Sequence, residues 1–175
     1  MKKIIRWEIL GAVFIIILGT LFHFVYEWSG ESRYIAVFGT VNESVWEHFK
    51  LVFWPAVFWA LLEIPFLRRD NHNFAFAKGV GILVMPLIIM VIFYSYTGII
   101  GRSMLVIDLL TFVIAVIMGQ FLSEKLLLAK PMPQWWNYLA VVLVVMLAIS
   151  FVVFTFAPPQ LPLFKDSKTG QYGLG

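Results

Sequence analysis

Long apolar runs separated by short polar segments make up most of this chain. Each run is long enough to cross the ~30 Å of hydrocarbon in a bilayer as an α-helix. The runs predict membrane-spanning helices at about residues 9–26, 49–67, 79–96, 104–122 and 138–156. We therefore expect an all-α, polytopic bundle that forms a single transmembrane domain over residues 1–175. Residues 157–175 are expected to form a polar tail outside the membrane.

Composition narrows the class of protein further. The chain is 61% hydrophobic and only 13% charged, whereas soluble domains carry about 25% charged residues. It has no cysteine, which excludes disulfides, thiol nucleophiles and thiolate metal sites. The net charge of +3 does not predict nucleic-acid binding, because the basic residues are divided by membrane side. The partner that composition predicts is the lipid bilayer.

The basic residues also predict the orientation in the membrane. Five spans place the two termini on opposite sides. Eight of the 13 basic residues fall on the side of the N-terminus, and two of the other five lie in the tail after the last span. Short cytoplasmic segments are enriched in lysine and arginine, so we predict an N-in, C-out protein of the cytoplasmic membrane.

The segment from Thr40 to Lys50, TVNESVWEHFK, is a polar interruption between two apolar segments. Thr40 and Glu43 have the spacing of a capping box, which predicts that a helix begins near residue 41. Glu43 and Glu47 then lie one turn apart on the same face. Because this helix continues to Leu67, the polar cluster is expected at the outer end of the second span.

The predicted topology gathers ionisable residues from several spans on the outer side. The candidate polar site consists of His23, Glu27, Asn42, Glu43, Glu47, His48, Arg102 and Asp108. Asp108 is the most informative of them, because an intramembrane carboxylate costs at least ~2.5 kcal/mol and so needs a partner or a function. We expect His23, Glu27, Glu47 and Asp108 to lie close enough to share hydrogen bonds.

Imidazole and carboxylate groups could also bind a divalent metal, either zinc or manganese. The candidate ligands are His23, Glu27, Glu47 and His48, and His23 and Glu27 are one helical turn apart. No established catalytic or phosphate-binding motif accompanies them.

Structural alternatives exist for these residues. Asp108 could pair with Arg102 and hold two helices together. Glu63, near the inner end of the second span, is expected to extend towards the interface or to meet Arg68, and His72 is interpreted as a surface residue.

Two segments resemble a known family. GTVNESVWEHFKLVFWP (Gly39–Pro55) and the tail PPQLPLFKDSKTGQYG (Pro158–Gly173) are similar to a family of small multi-pass prokaryotic membrane proteins described only as a domain of unknown function. The resemblance implies a membrane fold but no activity, substrate or cofactor. It draws attention to the tail, which could cover the polar cluster.

Three functions remain open on the sequence. The first is an outward-facing polar cavity that binds a small solute, cation or lipid headgroup, with a role in transport. Because the chain is short and has no internal repeat, transport would require a homo-oligomer or a membrane partner. The second is a membrane hydrolase that uses metal-assisted or acid/base chemistry at the outer leaflet. The third is a non-catalytic accessory subunit.

Overall fold

A computed structural model of the chain describes residues 1–174. It confirms the all-α prediction, since this part of the chain forms five long helices and no β-strand. All five are long and apolar enough to cross a membrane. The helices are α1 (Lys2–Trp28), α2 (Val45–Leu67), α3 (Phe74–Ile100), α4 (Leu105–Leu127) and α5 (Trp135–Phe156). Short 3₁₀ turns lie at Ile35–Val37, Arg68–Asp70 and Pro162–Phe164.

Most helices extend beyond the apolar runs from which they were predicted. Helices α1 and α3 each contain 27 residues, or about 40 Å at ~1.5 Å per residue, more than the ~30 Å of hydrocarbon. A hydropathy pattern therefore detects only the apolar middle of each helix.

Helix α2 begins later than the predicted capping box. The N-cap is Ser44, whose Oγ accepts a hydrogen bond from the backbone N–H of Glu47 at 3.3 Å. Thr40 instead donates its hydroxyl to the backbone carbonyl of His23 at 3.0 Å and ties the α1–α2 loop to α1. Ser44 and Glu47 have the same spacing as Thr40 and Glu43, so two adjacent signals were present and the second one forms the cap.

The bundle is arranged around α2 and α3. Helix α3 packs against α2, α4 and α5, while α1 packs against α2 and α4. Small residues allow the closest approach: a Cβ on Gly81 of α3 would lie only 2.8 Å from the backbone carbonyl oxygen of Gly119 on α4. Backbones that approach this closely are characteristic of helix packing in membranes.

The outer surface of the bundle is apolar. Helix α5 carries no charged residue and exposes Val141, Val145, Met146 and Ile149 along its length. The centre of the bundle is also apolar, with Ile15, Phe53 and Met85 almost completely buried. A chain that is apolar both inside and outside matches a lipid environment, and the structure is that of a multi-pass membrane protein.

Candidate functional site

Most of the predicted polar residues lie at one end of the bundle, which we call the C-terminal side. It consists of the last two turns of α1, the first turn of α2, the loop between them (residues 29–44) and the tail (residues 157–174). The loop is held onto α2 by buried hydrogen bonds. The indole N–H of Trp54 donates to the carbonyl of Val37 at 2.8 Å, and Lys50 Nζ donates to the carbonyl of Ala36 at 2.8 Å.

Three side chains from separate parts of this region meet. His23 lies near the end of α1, Glu43 precedes the cap of α2, and His48 lies in the first turn of α2. One potential ligand atom from each lies within 4.8 Å of the others. His48 Nε2 is 3.6 Å from Glu43 Oε2, and the two imidazole rings are 5.4 Å apart between centroids. We call these three residues the His–Glu–His cluster.

Hydrogen bonding leaves nitrogen lone pairs available in this cluster. His48 Nδ1 is 2.8 Å from the carbonyl oxygen of Ser44; this contact requires a proton on Nδ1 and leaves Nε2 as the acceptor in the neutral ring. His23 Nδ1 is buried and has no hydrogen-bond partner among residues 1–174. A backbone carbonyl that orients one imidazole nitrogen is the usual arrangement behind a metal-ligating histidine.

The tail contributes a positive charge next to Glu43. Lys168 Nζ donates to Glu43 Oε1 at 2.9 Å, while Oε2 faces His48. Burial disfavours the charged form of Glu43, but the hydrogen bond from Lys168 and the charge of His48 hold the pKa of this carboxyl below its ordinary value of 4.5. The same hydrogen bond raises the pKa of the Lys168 ammonium. Both shifts indicate an ionised Glu43 near neutral pH.

The tail packs on the start of α2. The buried ring of Phe164 lies 4.8 Å from the ring of Trp46 between centroids, and Asn42 Nδ2 donates to the carbonyl of Gly173 at 2.8 Å. The carboxylate of Asp166 accepts a hydrogen bond from the backbone N–H of Lys168 at 2.7 Å and organises the turn that presents this lysine. The tail thus contacts the polar segment that precedes and begins α2.

Glu47 occupies a different environment from Glu43. It forms a buried ion pair with Lys50, with Oε2 to Nζ at 2.6 Å, and Oε2 also accepts from the backbone N–H of Val41 at 3.0 Å. Thr155 Oγ1 of α5 is 3.5 Å from Oε1. Glu47 therefore connects the loop to α2 and is committed to Lys50, whereas Glu43, which was not among the predicted metal ligands, faces the histidines.

The expected sharing of hydrogen bonds among His23, Glu27, Glu47 and Asp108 is corrected by the structure. Asp108 accepts a hydrogen bond from the hydroxyl of Tyr96, at the end of α3. The short α3–α4 connection returns the chain so that these two residues meet, and a partner is supplied locally. Glu27 is exposed at the end of α1.

Arg102 is not the partner of Asp108. It is exposed in the α3–α4 connection, and no ion pair joins these two residues among those described.

An open cavity of about 540 Å³ borders Glu43. Its lining includes Phe93 and Tyr94 of α3 and the tail turn, residues 165–170. Pockets for small molecules have volumes of ~300–1,000 Å³. The cavity therefore has the size for a small ligand, and Glu43 is the one member of the His–Glu–His cluster in its lining.

The family model for a family of unknown function, DUF6512, matches residues 1–174. The chain belongs to the DUF6512 family. This confirms the resemblance to a domain of unknown function. No curated protein and no solved structure matches this DUF6512 member.

A second polar centre, which the sequence analysis did not identify, lies near the opposite end of the bundle. Lys78 Nζ of α3 is 2.5 Å from Glu8 Oε1 of α1 and 2.5 Å from Glu63 Oε2 of α2. Ser123 Oγ of α4 donates to Glu8 Oε1 at 3.0 Å. The prediction that Glu63 extends to the interface or meets Arg68 is wrong, because Glu63 is fully buried against Lys78.

The sequence held only a weak signal of this centre. Glu8, Glu63 and Lys78 are single charges one or two turns inside different helices, where a lone charge usually reaches the interface. Glu8 lies near Gly11, Glu63 near Trp59, and Lys78 near Gly81. These neighbours indicate a helix face that is turned towards other helices. Only the packing of the helices brings the three together.

Proposed function

We propose that this protein binds a divalent transition-metal cation, with zinc as the best match, at the His–Glu–His cluster on the outer face of the cytoplasmic membrane. The observation that carries the proposal is the meeting of His23, Glu43 and His48, from a helix, a loop and a second helix, with ligand atoms within 4.8 Å of one another. Two imidazoles and one carboxylate are a known ligand set for zinc.

The distances between the ligand atoms of the cluster are slightly longer than those around a bound zinc ion, so the cluster would have to contract a little to bind one. Ligand atoms about 2.1 Å from a tetrahedral zinc ion lie ~3.4 Å from one another. The distance from His48 Nε2 to Glu43 Oε2 is 3.6 Å, close to that value, and a ligand atom of His23 lies within 4.8 Å of one from each of the other two residues. Lys168 can stay on Glu43 Oε1 when Oε2 binds the metal, because the two oxygens face different partners.

The proposal also predicts how metal affinity depends on pH. Metal binding requires neutral imidazoles, because a protonated ring nitrogen has no lone pair for the metal. Affinity is therefore expected to fall as mild acidification protonates His23 and His48. Glu43, with its lowered pKa, stays ionised in this range and does not set the limit.

The test is isothermal titration of untagged, detergent-purified protein with Zn²⁺ and Mn²⁺. We expect one Zn²⁺ per chain, and a loss of at least tenfold in affinity for His23→Ala and for His48→Ala. The chain has three histidines, and exposed His72 lies at the other end of the bundle, so His72→Ala is the matched control and should bind as the native protein does. Equal binding by all three variants would refute the proposal.

A metal-assisted hydrolase is the second candidate, and the cavity beside Glu43 is the observation that favours it. Three protein ligands leave one coordination position for water or substrate, and the cavity gives a small ligand access to the side of Glu43. Zn²⁺-dependent cleavage of ester or phosphoester model substrates, abolished by His48→Ala and retained by His72→Ala, would support hydrolysis. Binding without any such cleavage would leave a cation-binding protein.

The orientation is part of the proposal. The distribution of lysine and arginine favours a cytoplasmic N-terminus, which places the His–Glu–His cluster outside. A reporter fused to the C-terminus should be active only in the extracytoplasmic compartment. Cytoplasmic activity of that reporter would place the cluster on the inner face.

A further inference from the structure

The centre around Lys78 contains more negative than positive charge in a fully buried position. Glu8, Glu63 and Lys78 are 3%, 0% and 5% exposed. Two carboxylates and one ammonium carry a net charge of −1 when all three are ionised. An uncompensated charge in a low-dielectric interior is strongly disfavoured.

The surroundings supply no second positive charge. Helix α4 contributes the neutral Ser123, and its neighbour Glu124 adds negative charge near Glu8. Glu124 lies 3.9 Å from the exposed Lys125. Helix α5 carries no charged residue at all. Within the described residues, Lys78 is therefore the cation on which both carboxylates depend.

Several polar atoms here lack a hydrogen-bond partner among residues 1–174. The acceptors among them are Glu8 Oε2 and the two carboxylate oxygens of Glu63, and the one donor is the indole Nε1 of Trp59. Trp59 lies against Glu63, and Lys78 Nζ is 2.5 Å from Glu63 Oε2. Even with Trp59 and Lys78 donating to Glu63, Glu8 Oε2 has no donor among the described residues. Buried polar atoms are almost always satisfied, so a further donor belongs at this position.

Apolar layers separate the centre from both ends of the bundle. On the side of the N-terminus, Ile4, Leu67, Phe74 and Leu127 form a buried cluster about one turn beyond the charged residues. On the other side lies the apolar core that includes Ile15 and Met85. Glu63 and Glu47 are 16 residues apart on α2, about 24 Å at ~1.5 Å per residue. The two polar centres are therefore distinct.

We propose that Glu8, Glu63 and Lys78 form a proton-binding site, in which one exchangeable proton is held by the two carboxylates. Protonation forms one O–H bond on a carboxylate oxygen and changes the charge of the site from −1 to zero. The side of the N-terminus is the nearer source of that proton, because one buried apolar layer, which contains Phe74, separates the site from it. The new O–H supplies the donor that Glu8 Oε2 lacks.

The exchangeable ligand of this site is a proton. Because its binding changes the charge inside the membrane by one unit, proton exchange can be coupled to helix packing. Lys78 on α3 bridges α1 and α2, so loss of the proton would change the forces among three helices at once. The inference does not depend on metal binding at the other end of the bundle.

Infrared difference spectroscopy tests the proposal on the full chain in lipid nanodiscs. We expect the C=O stretching band of a protonated carboxyl group at neutral pH, which shifts in D₂O and disappears as the pH is raised, with release of one proton per chain. Glu63→Gln or Glu8→Gln should remove the band while the protein stays folded. Glu27→Gln is the matched control, because Glu27 is exposed at the other end of the bundle, and it should leave the band unchanged, as should saturation with Zn²⁺.

Two outcomes would overturn the inference. The first is the absence of a protonated-carboxyl band in folded native protein from mildly acidic to mildly alkaline pH. The second is a band that persists in both Glu63→Gln and Glu8→Gln. If either variant fails to fold, the other decides the assignment. If both fail, Lys78→Met decides it: without the ammonium, two carboxylates should take up two protons and the band should about double, and an unchanged band would refute the site.

Discussion

Replacement of Lys50 by methionine should be among the most destabilising single changes in this protein. Lys50 is completely buried and its Nζ donates to Glu47 Oε2 at 2.6 Å and to the carbonyls of Ala36 at 2.8 Å and Gly39 at 3.3 Å. Lys50→Met leaves Glu47 as a buried carboxylate without its cation. Removal of one partner from a buried ion pair costs about 3–5 kcal/mol.

The double variant separates charge from packing. Adding Glu47→Gln to Lys50→Met replaces the isolated carboxylate with a neutral amide of similar shape, so the double variant should be more stable than Lys50→Met alone. Contacting residues of this kind show coupling energies of about 0.5–3 kcal/mol.

Reversible unfolding in mixed micelles, followed by tryptophan fluorescence, measures these free energies. Lys125→Met is the matched control, because Lys125 is 57% exposed, and it should change stability by less than about 0.5 kcal/mol. A loss below about 1 kcal/mol for Lys50→Met, well under the range for a broken buried pair, would refute the reasoning. So would a double variant that is less stable than the single one.

Two further predictions concern helix contacts and use the same unfolding assay. A Cβ on Gly19 would lie 2.3 Å from the backbone carbonyl oxygen of Leu51, so Gly19→Ala should destabilise the α1–α2 contact by about 1–3 kcal/mol. Gly98 has no neighbour within 4 Å of such a Cβ, so Gly98→Ala should be neutral or slightly stabilising, and equal losses would contradict this account. Tyr96→Phe removes the hydrogen bond to Asp108 and should cost about 1.5 kcal/mol; the loss should not grow when Asp108→Asn is added, and strict additivity would show that the two residues act independently.

The fold followed from the sequence because each element carries its own local signal. The apolar runs of all five spans are continuous in sequence and long enough to identify without knowledge of their neighbours. The start of α2 was placed a few residues early because Thr40–Glu43 and Ser44–Glu47 carry the same capping signal. Only the tertiary contact between Thr40 and the carbonyl of His23 distinguishes them.

The sites were less predictable because they depend on contacts between helices. His23, Glu43 and His48 were all recognised as candidates, but Glu47 was preferred to Glu43 as a metal ligand. That preference is wrong because Glu47 pairs with Lys50, three residues further along the same helix. Asp108 was given too large a role because Tyr96, its partner, belongs to the preceding helix.

The contacts among Glu8, Glu63 and Lys78 could not be predicted from the sequence. Lys78 and Glu8 are separated by 70 positions, and neither local sequence indicates that the two residues are in contact. An isolated charged residue near the end of an apolar run can either anchor the helix at the membrane interface or form one half of a buried ion pair. Only the rotation of α3 about its axis decides between them.

X-ray absorption at the zinc edge identifies the ligands of the bound ion and so decides whether the His–Glu–His cluster binds zinc. We expect two imidazoles and one carboxylate around one Zn²⁺ per chain, with one imidazole lost in His48→Ala and the native spectrum retained in His72→Ala. A zinc ion with no imidazole ligand, or one whose imidazoles persist without His23 and His48, would show that the metal binds elsewhere.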